Sequence, residues 1–454
     1  MRVLRFISRI LLGVLFVFSG FVKAVDPMGS AYKFSDYFHA FGLDFLDSLS
    51  IPLALFLSSF EWLLGLALIL GYQKKKVCWI LLFFMGFFTL LTLVLAITNP
   101  VSDCGCFGDA VILTNWETFF KNVVFMIFVL VLFRSRNQAE NVLKDRVEQW
   151  LLLTLFAGIF AFSLYTLRHL PVIDFRPYDT GTFIPGEMEI PEGAPRDEYR
   201  TMLFYRNLET GETEEFSIEN YPDDTVRYEF VTSESKLVKK GYEPPIHDFG
   251  IMDPYGMDIS DELLSFQGYT LFMLIHDLAP VDDALLQQAE SWHRLQAVAP
   301  DFKFIPVSAS TGDIIEEKKN SSGISYDFYG GDEIMLKTMI RSNPGFLLLK
   351  NGTIISKWGY RDFPGLEEWN SDWPEMISQY SETQDPAIRE LIEAGLMESL
   401  RFDHVDFDRT ANNIVIEENI RTRDVCRWML FIMIVMIVLL ALQLLPKWEK
   451  RKRD

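Results

Sequence analysis

The stretch Asn99-Pro100-Val101-Ser102-Asp103-Cys104-Gly105-Cys106-Phe107-Gly108-Asp109 decides how this chain is organised. It holds two of the four cysteines and lies between two long apolar runs. Proline, aspartate and glycine disfavour a helix, so the stretch predicts a tight, exposed loop at a membrane surface. Two cysteines this close can form a small, strained disulfide, and exposed disulfides of that kind tend to be reactive. Whether Cys104 and Cys106 perform thiol–disulfide chemistry therefore depends on the side of the membrane that they face.

The composition combines apolar segments with an acidic soluble part. The chain has 454 residues, a formal charge of −20, 49% hydrophobic residues and 39 phenylalanines. An acidic chain is a poor partner for nucleic acid, because phosphates select surfaces rich in lysine and arginine. The sequence shows no glycine-rich phosphate loop and no cysteine–histidine set at zinc spacing, so we expect no metal site.

Six apolar runs predict membrane-spanning helices, at residues 3–25 and at about 52–71, 77–98, 116–133, 150–168 and 428–446. The short connections on one side of these spans are basic, as in Gln73-Lys74-Lys75-Lys76 and in the tail Lys447–Asp454. By the positive-inside rule, both termini are cytoplasmic, while the cysteine loop and residues 170–426 face the periplasm. The sequence thus predicts a multi-pass protein of the bacterial inner membrane, in contact with the lipid bilayer.

The periplasm allows disulfides to persist, which leaves three interpretations of Cys104 and Cys106. The pair is a redox pair, a structural disulfide clip or a metal site. A redox pair is favoured over a clip, because closing so small a ring restricts little of the unfolded chain's entropy and therefore stabilises the fold only weakly. As a metal site the pair is incomplete, since two thiolates supply half of a zinc or copper ligand set. Lys23, Asp103 and Asp109 border the pair in this topology and are expected to modulate the pKa of its thiols.

Glu61 lies near the middle of the second predicted span. Inserting a carboxylate there costs roughly 2.5–3.5 kcal/mol, so the side chain should face the bundle interior and have a partner. Arg9 and Lys23 of the first span are the candidate partners, because consecutive elements are usually neighbours. The pair is either a static ion pair or part of a proton or quinone site, with Glu61 as the acid–base group.

The first four spans resemble the family that includes DoxX and the methylamine-utilisation protein MauE. The matching residues are Arg9–Gly13, Phe18–Lys23, Glu61–Gly65, and Asp103–Gly108 followed by Asn115-Trp116. The resemblance implies a four-helix bundle over residues 1–135, associated with disulfide maturation or with respiratory-chain subunits. The bundle with its cysteine loop is also similar to the DsbB and vitamin K epoxide reductase enzymes. This likeness implies a quinone as the candidate cofactor. Those enzymes use two cysteine pairs, whereas this chain has one outward-facing pair.

After the fifth span (residues 136–169, with its cytoplasmic connection) the pattern becomes soluble. Residues 170–240 predict a stiff proline-containing linker at Pro171–Tyr178 and a small β-rich segment with strands at Met202–Arg206 and Val226–Val231. Beyond them, Tyr269–Ile275 predicts a buried strand, Asp282–Ala297 a helix, and Asn351-Gly352 a hairpin turn. This order resembles the thioredoxin-like fold over residues 241–385. Residues 386–426 predict a helical return segment, and residues 427–454 the last span with its basic tail.

One departure from the thioredoxin-like family concerns chemistry. The family places Cys-x-x-Cys after the first core strand, but here the segment reads Ile275-His276-Asp277-Leu278-Ala279-Pro280-Val281-Asp282-Asp283. A domain without a thiolate cannot exchange disulfides, so we interpret it as a binding module. Pro344 matches the family's cis-proline, and the resemblance implies that Asn343 and Pro344 border a partner-binding edge.

The predicted fold class is therefore a multi-pass α-helical membrane bundle plus an α/β thioredoxin-like soluble domain. The first functional hypothesis is thiol–disulfide metabolism of the cell envelope, in which Cys104 and Cys106 relay electrons and the soluble domain holds a periplasmic or membrane protein partner. The alternative is a non-catalytic scaffold or accessory subunit of an envelope or respiratory complex. The sequence leaves both open, and with them the question of enzymatic activity.

Overall fold

The computed structural model describes residues 2–365, apart from residues 73, 102, 138–144, 219, 240 and 300. The predicted return segment 386–426, the last span within 427–454 and Cys426 lie outside the described residues. The chain divides into two compact units. One contains the residues up to Gly181 and those from Gly250 onward, and the other is Thr182–Phe249.

The first unit begins with six helices, of which five are long and apolar enough to cross a membrane. They are α1 (Arg2–Val25), α2 (Pro27–Ala40), α3 (Ser50–Leu70), α4 (Lys74–Thr98), α5 (Asn115–Arg134) and α6 (Asp145–Arg168), all except α2 being spans. Each of the five coincides with a predicted apolar run. The chain is a multi-pass membrane protein.

Glycines bring α1 and α3 unusually close together. A Cβ atom added to Gly20 would lie 2.5 Å from the backbone nitrogen of Trp62, and one added to Gly65 would lie 2.6 Å from that of Val17. Small residues at such crossings let helix backbones approach in a membrane, where apolar burial gives little driving force. The approach places the inner face of α1, which carries Ser19 and Lys23, directly against Glu61 of α3.

The connection between α1 and α3 contains a helix that the sequence analysis did not predict. Asp26 is the N-cap of α2, and its side chain accepts a hydrogen bond from the Gly29 backbone N–H at 2.8 Å. Pro27 follows at the first helical position, where its fixed φ suits a helix start. The Asp-Pro pair is a helix-start signal, and α2 runs from it to Ala40, followed by the short 3-10 helix Asp44–Leu49.

The second unit, Thr182–Phe249, is a small antiparallel sheet preceded by the short helix α7 (Ile184–Glu187). Its strands β1 (Glu198–Asn207), β2 (Thr213–Ser217) and β3 (Tyr228–Lys239) lie in the order β2-β1-β3. Rings of Tyr205, Phe216, Tyr228 and Phe230 pack edge to face across it. The sequence predicted strand character at 202–206 and 226–231, and the second of these begins two residues later than expected.

The first unit continues with a six-stranded mixed sheet in the order β4-β7-β6-β5-β8-β9. In chain order its elements are β4 (Ile251–Met252), α8 (Ser260–Ser265), β5 (Tyr269–Ile275), α9 (Asp283–Val298), β6 (Phe302–Ser308), α10 (Gly312–Ser322), β7 (Tyr329–Gly331), α11 (Glu333–Met339), β8 (Gly345–Lys350) and β9 (Thr353–Gly359). Strands β5 and β6 are parallel and joined through α9, whereas β8 is antiparallel to both β5 and β9. This arrangement is thioredoxin-like.

The predictions of the buried strand, the hairpin turn and the cis-proline in this domain are confirmed. Every residue of β5 is buried, as its continuous apolar run predicted for a strand covered on both faces. Asn351 and Gly352 both have positive φ, 48° and 73°, at the turn of the β8–β9 hairpin. The Asn343–Pro344 peptide bond is cis, as the resemblance implied.

The prediction of a stiff linker at residues 171–178 is wrong. Asp174, with 9% of its side chain exposed, pairs with both Arg176 and Lys357 of β9 at 2.7 Å. The Lys357 ammonium also donates to the carbonyl oxygen of Tyr178, a fully buried residue. Prolines and single charges are typical of linkers, but here the charges find partners on the sheet. The segment is an integral part of the thioredoxin-like domain.

Candidate functional site

The two cysteines of the loop face each other. Their Sγ atoms lie 2.7 Å apart, and Gly105 between them has a φ of 63°, in the left-handed region that favours glycine. The expectation of an exposed pair is wrong, since Cys104 is only 8% exposed and Cys106 is half-buried. Another part of the chain covers the side of the loop that was expected to be exposed.

The covering element is α2. The Tyr37 hydroxyl donates to the carbonyl oxygen of Cys104 at 2.7 Å, and the Lys33 ammonium pairs with Asp103 at 2.5 Å. A Cβ atom added to Gly105 would come within 3.0 Å of the Lys33 side chain, so α2 lies directly on the loop. Asp103, predicted to border the cysteines, is thereby paired with a residue that the sequence analysis missed.

On its other side the loop rests on α1 and α3. The Lys23 ammonium lies 2.8 Å from the Glu61 carboxylate and donates to the carbonyl oxygen of Cys106 at 2.5 Å. The Ser19 hydroxyl is within hydrogen-bond distance of the same two oxygens. Of the two predicted partners of Glu61, Lys23 makes the pair, and both side chains are at most 8% exposed. A buried polar network thus joins Glu61 to the backbone of the redox candidate.

The end of the loop is fixed by α5. Thr114 and Glu117 form a capping box at the start of that helix. The side-chain amide of Asn115 donates to Asn99 at 2.9 Å and to the carbonyl oxygen of Val101 at 2.7 Å. The loop is therefore held at both ends as well as from above and below.

A cavity of about 260 Å³ adjoins the pair. Both cysteines, Lys23, Glu61 and Lys121 line it, and the rest of its wall is mostly aromatic and aliphatic, including Phe16, Phe84 and Phe88. Phe87 of α4 also lines the cavity and is 62% exposed, on the same outer stripe of α4 as Phe83 and Leu90. In a membrane such an exposed apolar stripe faces lipid, so the cavity reaches the lipid-facing surface of the bundle.

These features lie within the part of the chain that matches a known family. Residues 1–135 match the family described as methylamine utilisation protein MauE. Residues 199–240, which form most of the small antiparallel sheet, match a domain of unknown function (DUF8463). No curated protein matches the chain significantly.

Among solved structures, the chain is similar to the solution structure of a "putative protein disulfide isomerase from Bacteroides thetaiotaomicron". The identity is 12%, the match covers 32% of this chain and 91% of that chain, and the TM-score is 0.22. The thioredoxin-like assignment of residues 251–359 rests on their strand order and connections, described above.

Electrostatics distinguish the two thiols of the MauE-like bundle. The hydrogen bond from the Cys104 thiol, helped by the positive charges of Lys121 and Lys23, lowers the pKa of Cys106 to about 6 against the cost of burial. That same hydrogen bond, together with burial, raises the pKa of Cys104. Lys121, which lies inside α5 with its ammonium 4.2 Å from the Phe107 ring centroid, was missed by the sequence analysis. Cys106 is therefore the more acidic thiol of the pair.

This asymmetry predicts a particular pH profile of alkylation. Because the thiolate is the nucleophile, the alkylation rate of Cys106 should rise with pH through about 6 and level off above about 7. Cys104→Ala removes the hydrogen-bond donor, so the midpoint should move to higher pH. Rates would be measured in membranes, with Cys78 and Cys426 replaced by serine as background. An unchanged midpoint in Cys104→Ala would contradict the assignment.

The thioredoxin-like domain contacts this site through Arg341. Its guanidinium pairs with Asp26 at 2.9 Å and with Asp109 at 2.7 Å. Asp109, which was expected to modulate the pKa of the cysteine thiols, therefore forms its ion pair with the thioredoxin-like domain. Burial, the largest effect, raises the pKa of Asp109 although Arg341 opposes it. Tyr32 of α2 lies 3.3 Å from His276, in the segment that replaces Cys-x-x-Cys.

Asn343 and Pro344, the predicted partner-binding residues, lie just beyond Arg341. The Asn343 side-chain amide donates to the carbonyl oxygen of Asp277 at 2.6 Å, which ties the proline loop to the segment after β5. Within residues 2–365, apart from the gaps given above, no group of three histidine, cysteine or carboxylate residues could hold a metal.

Proposed function

We propose that the chain serves thiol–disulfide metabolism of the cell envelope and that Cys104 and Cys106 cycle between dithiol and disulfide. The observation that carries the proposal is a cysteine pair with facing sulfurs on the wall of an apolar cavity, beside the cations Lys23 and Lys121. A structural clip has no need of neighbouring cations or of a cavity.

The residues around the pair have separable roles in this proposal. The Cys106 thiolate is stabilised by Cys104 and Lys121, while Lys23 and Ser19 hold the Cys106 carbonyl oxygen and fix the turn. Forming the Cys104–Cys106 bond from a thiol and a thiolate releases two electrons and the proton of the Cys104 thiol. Glu61, joined to the turn through Ser19 and Lys23, is the proposed acid–base group, in preference to the static ion pair that the sequence also left open.

A quinone is the proposed electron acceptor, and the cavity fits this class of compound. Its wall is mostly apolar and aromatic, and it extends to the lipid-facing stripe of α4, where a membrane-dissolved compound can enter. When bound, a quinone would accept two electrons and two protons; the pair supplies both electrons and the proton of the Cys104 thiol, and the second proton comes from water. Lys23, Glu61 and Lys121 supply the polar groups of the site.

The other reactant is a protein thiol on the outer side of the membrane. Its dithiol would reduce the Cys104–Cys106 disulfide by exchange and become a disulfide itself, so that the pair passes electrons from that partner to the quinone. We place the loop and the thioredoxin-like domain in the periplasm and both termini in the cytoplasm of a bacterial inner membrane, as the distribution of lysine and arginine indicates.

The scaffold hypothesis keeps one specific support. The thioredoxin-like domain has no cysteine after β5, and its Asn343–Pro344 edge could bind a protein without any chemistry. In that case Cys104 and Cys106 would be dispensable for assembly of the complex.

Redox titration of the pair tests the proposal. Membranes containing the full chain are poised over a series of potentials, and the free thiols are alkylated with a membrane-impermeant reagent. We expect a reversible two-electron step near the periplasmic potential that responds to an added soluble quinone. Cys104→Ser should abolish the step, whereas Cys78→Ser, the same change at a buried cysteine on α4, should leave it intact. A pair that stays oxidised to very reducing potentials would be a structural clip and would leave the scaffold hypothesis.

A further inference from the structure

We propose that Arg341 is a positioning residue that holds α2 closed over the cysteine loop and thereby controls which thiols can reach Cys104. The inference rests on the proposed function only in taking Cys104 and Cys106 as the reacting pair. It gives the cysteine-free thioredoxin-like domain a task within its own chain.

Arg341 forms an unusually complete set of contacts. Its side chain is 8% exposed, and its Nε and one terminal nitrogen pair with Asp26 and Asp109. The other terminal nitrogen donates to the carbonyl oxygen of Lys337 at 2.5 Å. A guanidinium held by two carboxylates and a carbonyl has a fixed geometry that lysine cannot reproduce.

The two carboxylates belong to α2 and to the cysteine loop, which must stay together for the cysteines to remain covered. Asp26 is the N-cap of α2, the helix that covers the cysteines. Asp109 lies three residues after Cys106, on the loop that is covered. One guanidinium therefore links the start of the cover to the end of the loop.

A second contact holds α2 further along its length. The Tyr32 hydroxyl lies 3.3 Å from His276, and the cations of Lys337 and Arg341 lie 4.8 and 5.2 Å from the centre of its ring. His276 stands in the segment where the family carries its reactive cysteines. Through His276, the segment that replaces Cys-x-x-Cys contacts α2 of the same chain.

Closure has a direct consequence for reactivity. Thiol–disulfide exchange requires an incoming sulfur to approach a sulfur of the pair, yet Cys104 is 8% exposed and Tyr37 of α2 is bonded to its carbonyl oxygen. A protein thiol can react only when α2 moves, and α2 cannot move away from the loop while Arg341 holds both Asp26 and Asp109. Small reagents that enter through the cavity do not face this barrier.

The test compares a bulky and a small maleimide on the full chain in membranes, after chemical reduction and with Cys78, Cys106 and Cys426 replaced by serine, so that Cys104 is the thiol that is labelled. Arg341→Ala should raise the rate with the bulky reagent by at least about tenfold, because it shifts the local opening equilibrium of α2. The rate with the small reagent should change far less. Arg294→Ala, which removes an exposed arginine paired with Glu290 in the same domain, is the matched control and should change neither rate.

Charge reversal separates the ion pair from general loss of structure. Arg341→Asp should open the site, and adding Asp109→Arg should restore slow labelling by the bulky reagent. If the Arg341→Ala protein does not accumulate in membranes, Asp109→Asn is tested in its place. This variant keeps the ion pair between Arg341 and Asp26, so its labelling rate with the bulky reagent should lie between that of wild type and that of a fully open site. Equal bulky-reagent rates in wild type and in these variants would overturn the inference.

The two proposals fail in different ways. Labelling is done on chemically reduced thiols, so it does not require a redox partner or a quinone. Faster labelling in Arg341→Ala combined with a redox-inert pair would keep the positioning role and remove the proposed function. A redox-active pair with unchanged labelling would do the reverse.

Discussion

Replacing Lys23 by methionine is expected to destabilise the membrane bundle by about 3–5 kcal/mol, because the Glu61 carboxylate is then left buried without its counter-charge. The ammonium and the carboxylate are 2.8 Å apart, and their side chains are 5% and 8% exposed. The loss also removes the bond that holds the Cys106 carbonyl oxygen. The free energy of unfolding would be measured by denaturant titration of the full chain in detergent micelles.

A double-mutant cycle gives the control for this prediction. Lys23→Met combined with Glu61→Leu removes both charges, and the double variant should recover much of the stability that the single variant loses. Lys121→Met, a similar change in another span lining the cavity, tests whether loss of any cation there has the same cost. Equal stabilities of Lys23→Met and wild type would show that Glu61 is solvated or neutral.

The spans and the Glu61 pair could be predicted because each follows from a local rule. A run of about 20 apolar residues has few alternatives to a membrane helix, and a carboxylate within such a run must find a cation. Lys23 lies on the preceding span, so the neighbouring-helix rule limited the candidates to Arg9 and Lys23, and the structure selects Lys23. What the sequence did not indicate is that Lys23 and Ser19 also bind the cysteine loop, since the loop's path into the bundle is a three-dimensional property.

The cover over the cysteines was missed for two different reasons. The helix start at Asp26-Pro27 is a readable signal, and Lys33 and Tyr37 lie four residues apart on one face of the helix that follows. Arg341 offers no such signal, because its partners lie 315 and 232 residues away in sequence. Burial of the pair therefore comes from α2, whose start is a readable signal, while the contact of Arg341 with Asp26 and Asp109 depends on packing between distant parts of the chain, and exposure was the wrong expectation.

The strands of the sheet could be predicted from local sequence, whereas the packing of residues 171–178 on the sheet could not. Strand β5 and the β8–β9 hairpin were predictable from an apolar run and an Asn-Gly turn, both of which act within a few residues. Asp174 is 183 residues from Lys357, so nothing near it in sequence distinguishes a buried carboxylate from an exposed one. The error in the linker prediction therefore leads to a strong prediction about stability.

Asp174→Asn is expected to destabilise the thioredoxin-like domain by about 3 kcal/mol, because Arg176 and Lys357 then lose their counter-charge in a buried site. All three side chains are at most 9% exposed. Unfolding would be followed in the full chain by hydrogen exchange of the β9 amides. Asp313→Asn, the same change at an exposed aspartate of α10 in the same domain, should shift stability by no more than about 0.5 kcal/mol.

The pH dependence provides an independent test of the same cluster. Burial alone would raise the pKa of Asp174, but the charges of Lys357 and Arg176 outweigh it and lower the pKa to about 2. A carboxylate whose pKa is depressed by folding contributes stability above its unfolded pKa, near 4, and loses it as the pH falls toward 2. The wild type should lose about 2–3 kcal/mol across that window, and Asp174→Asn should lose little there because it has no proton to take up. If residues 171–178 were a free linker, the two proteins would show the same acid profile and the same exchange at β9.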